Sequence, residues 1–227
     1  MNNKKIHIIH PKDSTTDFLN SITEHISKTT EVQINLLRLK SREDHSNFFE
    51  SIHSIDENEL ILFFGHGTST GLSGAITKEF ENTEFITEKQ LKIFKNKNVM
   101  ILSCRSNQYI KSYFRECSIE SAIGFPNLIT DATEIEHHDD PKRLDDVSVE
   151  DIELFKEAIV DVVKFSLEDY VENNLSMNQF YNRIKLRINK RIISLYNKTP
   201  NKGKLPLGKM LNDMVDGMTF FTSQNSM

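Results

Sequence analysis

Two unbroken apolar runs dominate the hydropathy pattern: "LILFF" at 60–64 and "VMIL" at 99–102. Neither alternates with polar residues, which is how strands buried on both faces of a parallel sheet read. Weaker strand signals flank them. "KKIHIIH" (4–10) is a short β-branched run closed by Pro11, and "EVQINLLRLK" alternates Val32, Ile34 and Leu36. "ESAIGFPNL" (120–128) reads as a further strand with its own Gly/Pro punctuation.

Between these runs the apolar period changes to that of a helix. Phe18, Leu19, Ile22 and Ile26 follow Ser14, Thr15 and Thr16, which are N-cap candidates. A polar, helical stretch carries Phe48, Phe49 and Ile52, whereas 75–95 follows no clear period. Further on, Ser148 with Asp151 forms a capping box opening a helix whose inner face is Ile152, Phe155, Ala158, Ile159, Val162 and Val163. A second box, Ser176 with Gln179, opens a helix lined inside by Phe180, Ile184, Ile188 and Ile192. Its outer face holds Arg183, Lys185, Arg187, Lys190 and Arg191, a solvated surface or a dock for an acidic partner.

Strands alternating with helices predict an α/β fold: a mostly parallel, doubly wound sheet with helices on both faces. Right-handed crossovers align the C-terminal ends of the strands along one edge, where open α/β folds build their sites. The two strongest strands run into His66 and Cys104, so an imidazole and a thiol are delivered to the same edge.

Length and composition add bounds. The 227 residues, 37% hydrophobic, suffice for one sizeable core, and a net charge of −5 gives no general attraction to nucleic acid or an anionic membrane. A single domain is expected over 1–227. It comprises a core at 4–135, an exposed acidic loop at 136–150, helices at 151–199 and an irregular tail at 200–227. The start "MNNKKIHIIHPKD" lacks the apolar stretch of roughly 7–15 residues of a signal peptide, and no run reaches the roughly 20 of a membrane span. Two cysteines, Cys104 and Cys117, make no disulfide framework, so a reducing, cytoplasmic location is expected. Cys117 reads as a core thiol.

Thiolate, imidazole and oxyanion donors are the minimum for a cysteine protease. "LILFFGHG", "NVMILSCRS" and "AIGFPNLITDATE", in that order, resemble the caspase-like fold of the clan CD cysteine peptidases, and within it the CHAT branch shared with separases. The spacing of 38 residues from His66 to Cys104 suits that family, and the resemblance covers about residues 5–135. It implies a three-layer caspase-like fold and a cysteine endopeptidase (a hydrolase, or thiol protease). His66 would be the catalytic imidazole and Cys104 the nucleophile. The N–H groups of Gly67 and Cys104 would form the oxyanion hole, and Asp131 would line an S1 pocket for a basic side chain.

Two features depart from the family. The cysteine context is Ser-Cys-Arg-Ser rather than the Gln-Ala-Cys-Arg-Gly of animal caspases. Leu102 and Ser103 also stand where metacaspases carry an acidic residue.

The implied partners are a protein substrate and a regulatory protein or activator, in a stress, cell-death or defence pathway, antiviral defence included. No cofactor, metal, nucleic acid or membrane is implied. "DDPKRLDD" offers sites for activating self-cleavage, after Lys142 or Arg143 for a basic preference and after Asp140 or Asp146 for an acidic one. Three other readings stay open. A caspase-like fold serves as a non-catalytic partner-docking module. Glycines 65, 67, 71 and 74 cradle a phosphate, without a GxGxxG or P-loop pattern. His137, His138, Asp139 and Asp140 bind a metal, although a solvated acidic segment explains them as well.

Overall fold

The computed structural model describes residues 5–57, 59–136, 141–198 and 206–223. A six-stranded sheet forms its centre. Five strands are parallel: β1 (Lys5–Ile9), β2 (Gln33–Leu37), β3 (Leu60–Phe64), β6 (Asn98–Leu102) and β7 (Ser121–Gly124). The antiparallel β8 (Thr219–Thr222) closes one edge, giving the order β2-β1-β3-β6-β7-β8. A separate two-stranded hairpin pairs β4 (Gly71–Leu72) with β5 (Ile86–Thr87).

The apolar runs are continuous because each strand feeds two cores. Leu60, Leu62, Phe64, Met100 and Leu102 point to one face, against α1 (Asn20–Thr29), α5 (Val149–Glu172), α6 (Met177–Lys198) and α7 (Pro206–Gly217). Ile61, Phe63, Val99 and Ile101 point to the other, against α2 (Arg42–Ser51), α3 (Ser106–Cys117) and the hairpin. All nine of these side chains are buried, so polar residues would be penalised at every position. The edge strand β2 is different: Leu36 is exposed, since only β1 pairs with it.

Local capping sets the long helices. Ser148 accepts from the Asp151 N–H at 3.1 Å while Asp151 accepts from the Ser148 N–H at 3.0 Å, opening α5. Ser176 and Gln179 repeat the arrangement before α6, at 3.3 and 2.8 Å. Each box satisfies N–H groups that a helix start leaves unpaired. A third box, Ser41 with Asp44, opens α2. The inner faces expected for α5 and α6 are buried as read.

Several expectations are corrected. Ser14, Thr15 and Thr16 do not cap a helix; a 3₁₀ turn at Asp17–Leu19 precedes α1 without a side-chain cap bond. The unassigned stretch 75–95 holds β5 and a 3₁₀ turn at Leu91–Phe94. The tail expected to be irregular contributes α7 and β8. Pro206 is the first residue of α7, where its missing N–H costs nothing. Within 136–150 a 3₁₀ turn at Pro141–Leu144 anchors Leu144 in the core. Part of the basic face of α6 is structural, because Arg187 donates to Asp169 of α5 at 2.6 Å and Arg183 lies 3.4 Å from the same carboxylate. Cys117 is a buried core thiol, as expected.

One buried polar group is placed at an energetic cost. His10, just past β1, is 0% exposed, and neither ring nitrogen has a partner among the described residues. Burial, helped by the Arg38 charge, pushes its imidazole from 6.5 down to about 4. The fold holds it neutral, whereas the unfolded chain takes up a proton below about 6.5. Its contribution is therefore present above pH 6.5 and lost as pH falls towards 4, by up to about 3 kcal/mol. Urea unfolding of wild type and His10→Leu between pH 7 and 4.5 should show a shallower acid slope in the variant. Equal slopes would remove His10 as the cause.

Candidate functional site

In a sheet of this order the strand sequence switches sides between β1 and β3, leaving a crevice at the C-terminal ends of those parallel strands. Phe64 of β3 pairs with Leu102 of β6, and the Gly65 N–H donates to Leu102 O at 3.4 Å. His66 and Cys104 each stand two residues beyond that matched pair. The alternation that turns Phe64 and Leu102 to one face carries both side chains to the same side. Both line one cavity, with Gly65, Ser103, Leu128 and Thr130 among its walls.

The imidazole is tied to the loop after β1. His66 Nε2 lies 2.6 Å from Thr15 Oγ1 and 3.6 Å from Asp13 Oδ2. Asp13 Oδ1 in turn accepts the Thr15 N–H at 2.8 Å and the Thr15 hydroxyl at 2.7 Å. Three residues from both sides of the crevice thus form one hydrogen-bonded set.

The thiol sits at a sharp turn from β6 into α3. Arg105 adopts the left-handed conformation (φ 55°), an unfavourable state for a residue with a Cβ that surrounding contacts must hold. Those contacts are present: the Ser106 hydroxyl donates to Ile101 O at 2.7 Å and accepts the Phe125 N–H at 2.8 Å. The Asn107 N–H bonds Phe125 O at 2.9 Å. Gly124 permits this closeness, since a Cβ there would meet Asn107 Cα at 2.7 Å.

Cys104 Sγ does not reach His66. It donates to Leu128 O at 3.1 Å and lies 3.7 Å from Oε1 of Glu134 in the short helix α4 (Thr133–Glu136). The other oxygen of Glu134 accepts the Thr130 N–H (2.6 Å), the Asp131 N–H (3.0 Å) and the Thr130 hydroxyl (3.1 Å), which fixes the carboxylate beside the sulfur. Burial, then the neighbouring Glu134 charge, pushes the thiol up from 9.0 to about 12. The cavity joining the pair holds about 20 Å³, room for a single water. His66 and Cys104 are therefore neighbours in one narrow, partly open cleft, with the thiol protonated and capped.

The expected oxyanion donors are uncommitted. Gly67 bridges Leu72 through Thr68 N–H to Gly71 O (2.8 Å) and Ser73 N–H to His66 O (3.0 Å), leaving the Gly67 N–H out of the ladder. Neither it nor the Cys104 N–H donates to a partner among the described residues. The glycine at 67 serves close approach rather than an unusual φ. A Cβ there would lie 2.6 Å from Ser103 Oγ, and no glycine among the described residues has positive φ. Asp131 stands in the loop after β7, outside the walls of that cavity, with its N–H on Glu134.

Sequence reasoning did not place Asp13, Thr15 or Glu134 in the site; Thr15 entered only as an N-cap candidate. The first two carried a signal, a polar cluster directly after a strand ending at the crevice. Glu134 carried none, since a 30-residue separation hides its contact with Cys104. Among the described residues no group of three or more His, Cys, Asp or Glu side chains is arranged to hold a metal. No described helix is long and apolar enough to cross a membrane. The residues His137 to Asp140, and with them that metal reading and the Asp140 cleavage site, lie outside the described residues. No protein-family model matches this chain, and no curated protein sequence does so either.

Proposed function

We propose that this protein is a regulated cysteine endopeptidase of the caspase-like, CHAT type, held here in a resting state. The observation that carries the reading is the matched delivery of His66 and Cys104 from paired strands into one cavity, with two unpaired backbone N–H groups at the same edge. In the active state the thiol proton passes to the imidazole and the S–C bond forms at the substrate carbonyl. The C–N bond then breaks as the imidazolium protonates the leaving amine, and water hydrolyses the thioester. The Gly67 and Cys104 N–H groups stabilise the oxyanion, about 3–4 kcal/mol for one good donor. Asp131 is assigned to the S1 pocket and a protein is the substrate. A protein activator, or self-cleavage at Lys142, Arg143 or Asp146, opens the loop that caps Cys104. The setting is a cytoplasmic defence, stress or cell-death response.

A second reading, a caspase-like module that docks a partner without catalysis, draws on the capped thiol and the absence of a His66–Cys104 bond. A panel of fluorogenic peptides varied at P1, read with and without limited proteolysis of the chain, separates the two. Hydrolysis that needs Cys104 supports the peptidase. No turnover under any condition, with a thiol that stays inert, leaves the docking module.

A further inference from the structure

The three-residue set at the crevice has a directionality that fixes the state of the imidazole. A threonine hydroxyl has one proton to give and lone pairs that accept. Thr15 Oγ1 lies 2.7 Å from Asp13 Oδ1, and a carboxylate offers no proton, so the Thr15 proton lies on that bond. At its other contact, 2.6 Å from His66 Nε2, the same oxygen can only accept. Nε2 must therefore carry a proton, and Nδ1 is left as the basic nitrogen.

Asp13 is suited to anchor the set. It is 7% exposed, and its Oδ1 takes the Thr15 N–H as well as the hydroxyl, so the threonine is held by both its backbone and its side chain. Its second oxygen lies 3.6 Å from Nε2, so the carboxylate faces the ring directly as well as through the hydroxyl.

We infer that Asp13 and Thr15 are positioning residues for His66, a relay that sets its tautomer and aims Nδ1 as the proton-carrying atom of the peptidase reaction. Because the base is directed by a hydroxyl rather than by the carboxylate itself, Thr15 is the sensitive point of the relay. The inference rests on the peptidase reading for its purpose, though the hydrogen-bond pattern does not.

The test uses the full chain, uniformly labelled with ¹⁵N, and reads the His66 ring nitrogens by NMR, with His66→Gln to assign the signals. Wild type should show a protonated Nε2 and an unprotonated Nδ1. Thr15→Val, of the same shape without the hydroxyl, should lose the slowly exchanging Nε2 proton, and Thr15→Ser should restore it. Asp13→Ala frees the Thr15 proton and should leave a mixture of tautomers. A wild type protonated at Nδ1 alone, or a Thr15→Val spectrum like that of wild type, overturns the relay. In activated enzyme, Thr15→Val should lower kcat at least about tenfold with KM unchanged, and Thr15→Ser should recover most of it. A relay confirmed by NMR in a chain that hydrolyses no peptide sinks the peptidase reading and leaves the hydrogen-bond assignment standing.

Discussion

Cys104→Ala should abolish peptide hydrolysis, lowering kcat/KM at least about 10⁴-fold, and His66→Ala should fall nearly as far. The double variant should be no worse than either single one, because a nucleophile and the base that serves it act as a unit. Ser103 offers no substitute nucleophile. Its hydroxyl is buried beneath Gly67, where a Cβ would come within 2.6 Å of it. The measurement is turnover of the best P1 peptide after activation, with thermal midpoints recorded alongside. Midpoints close to wild type assign the loss to chemistry. Turnover that survives Cys104→Ala would take the sulfur out of the mechanism, and additive losses in the double variant would break the dyad.

The central strands were legible because burial on both faces demands apolar residues at every position, as in Leu60–Phe64 and Asn98–Leu102. Matched register then brings His66 and Cys104 to the walls of one cavity, as order and spacing led one to expect, without a bond between them. What escaped depended on tertiary placement. The four residues of β8 form a strand only because β7 offers an edge, pairing Ser121 with Thr222 and Gly124 with Thr219. Asp13 and Thr15 look like ordinary helix-start residues until His66 arrives from 51 positions away. The state of the thiol was the least legible feature. Apolar strand followed by Cys reads the same whether the sulfur faces an imidazole or a carboxylate.

Glu134→Gln should make Cys104 markedly more reactive at neutral pH without any activator. With the thiol at about 12, five units above pH 7, only about one molecule in 10⁵ is a thiolate. A free cysteine near 8.5 has a few per cent, so alkylation of the resting chain by iodoacetamide should run about a thousandfold slower than that of a free thiol. Burial is the larger cause and remains in the variant; the Glu134 charge is the part that glutamine removes. Glutamine keeps an oxygen for the Thr130 and Asp131 N–H groups, so the loop stays in place and the rate should rise by about tenfold. Glu134→Ala also releases those bonds, unfastening the segment whose Leu128 carbonyl caps the sulfur, and should go further by admitting water. In wild type the rate should climb tenfold per pH unit from 7 to 10, since the thiolate fraction does so below its midpoint. A plateau near pH 8, or wild-type rates in both variants, would show that Glu134 does not hold the nucleophile silent. The low reactivity of the thiol would then have to be ascribed to its burial and to the missing His66–Cys104 contact.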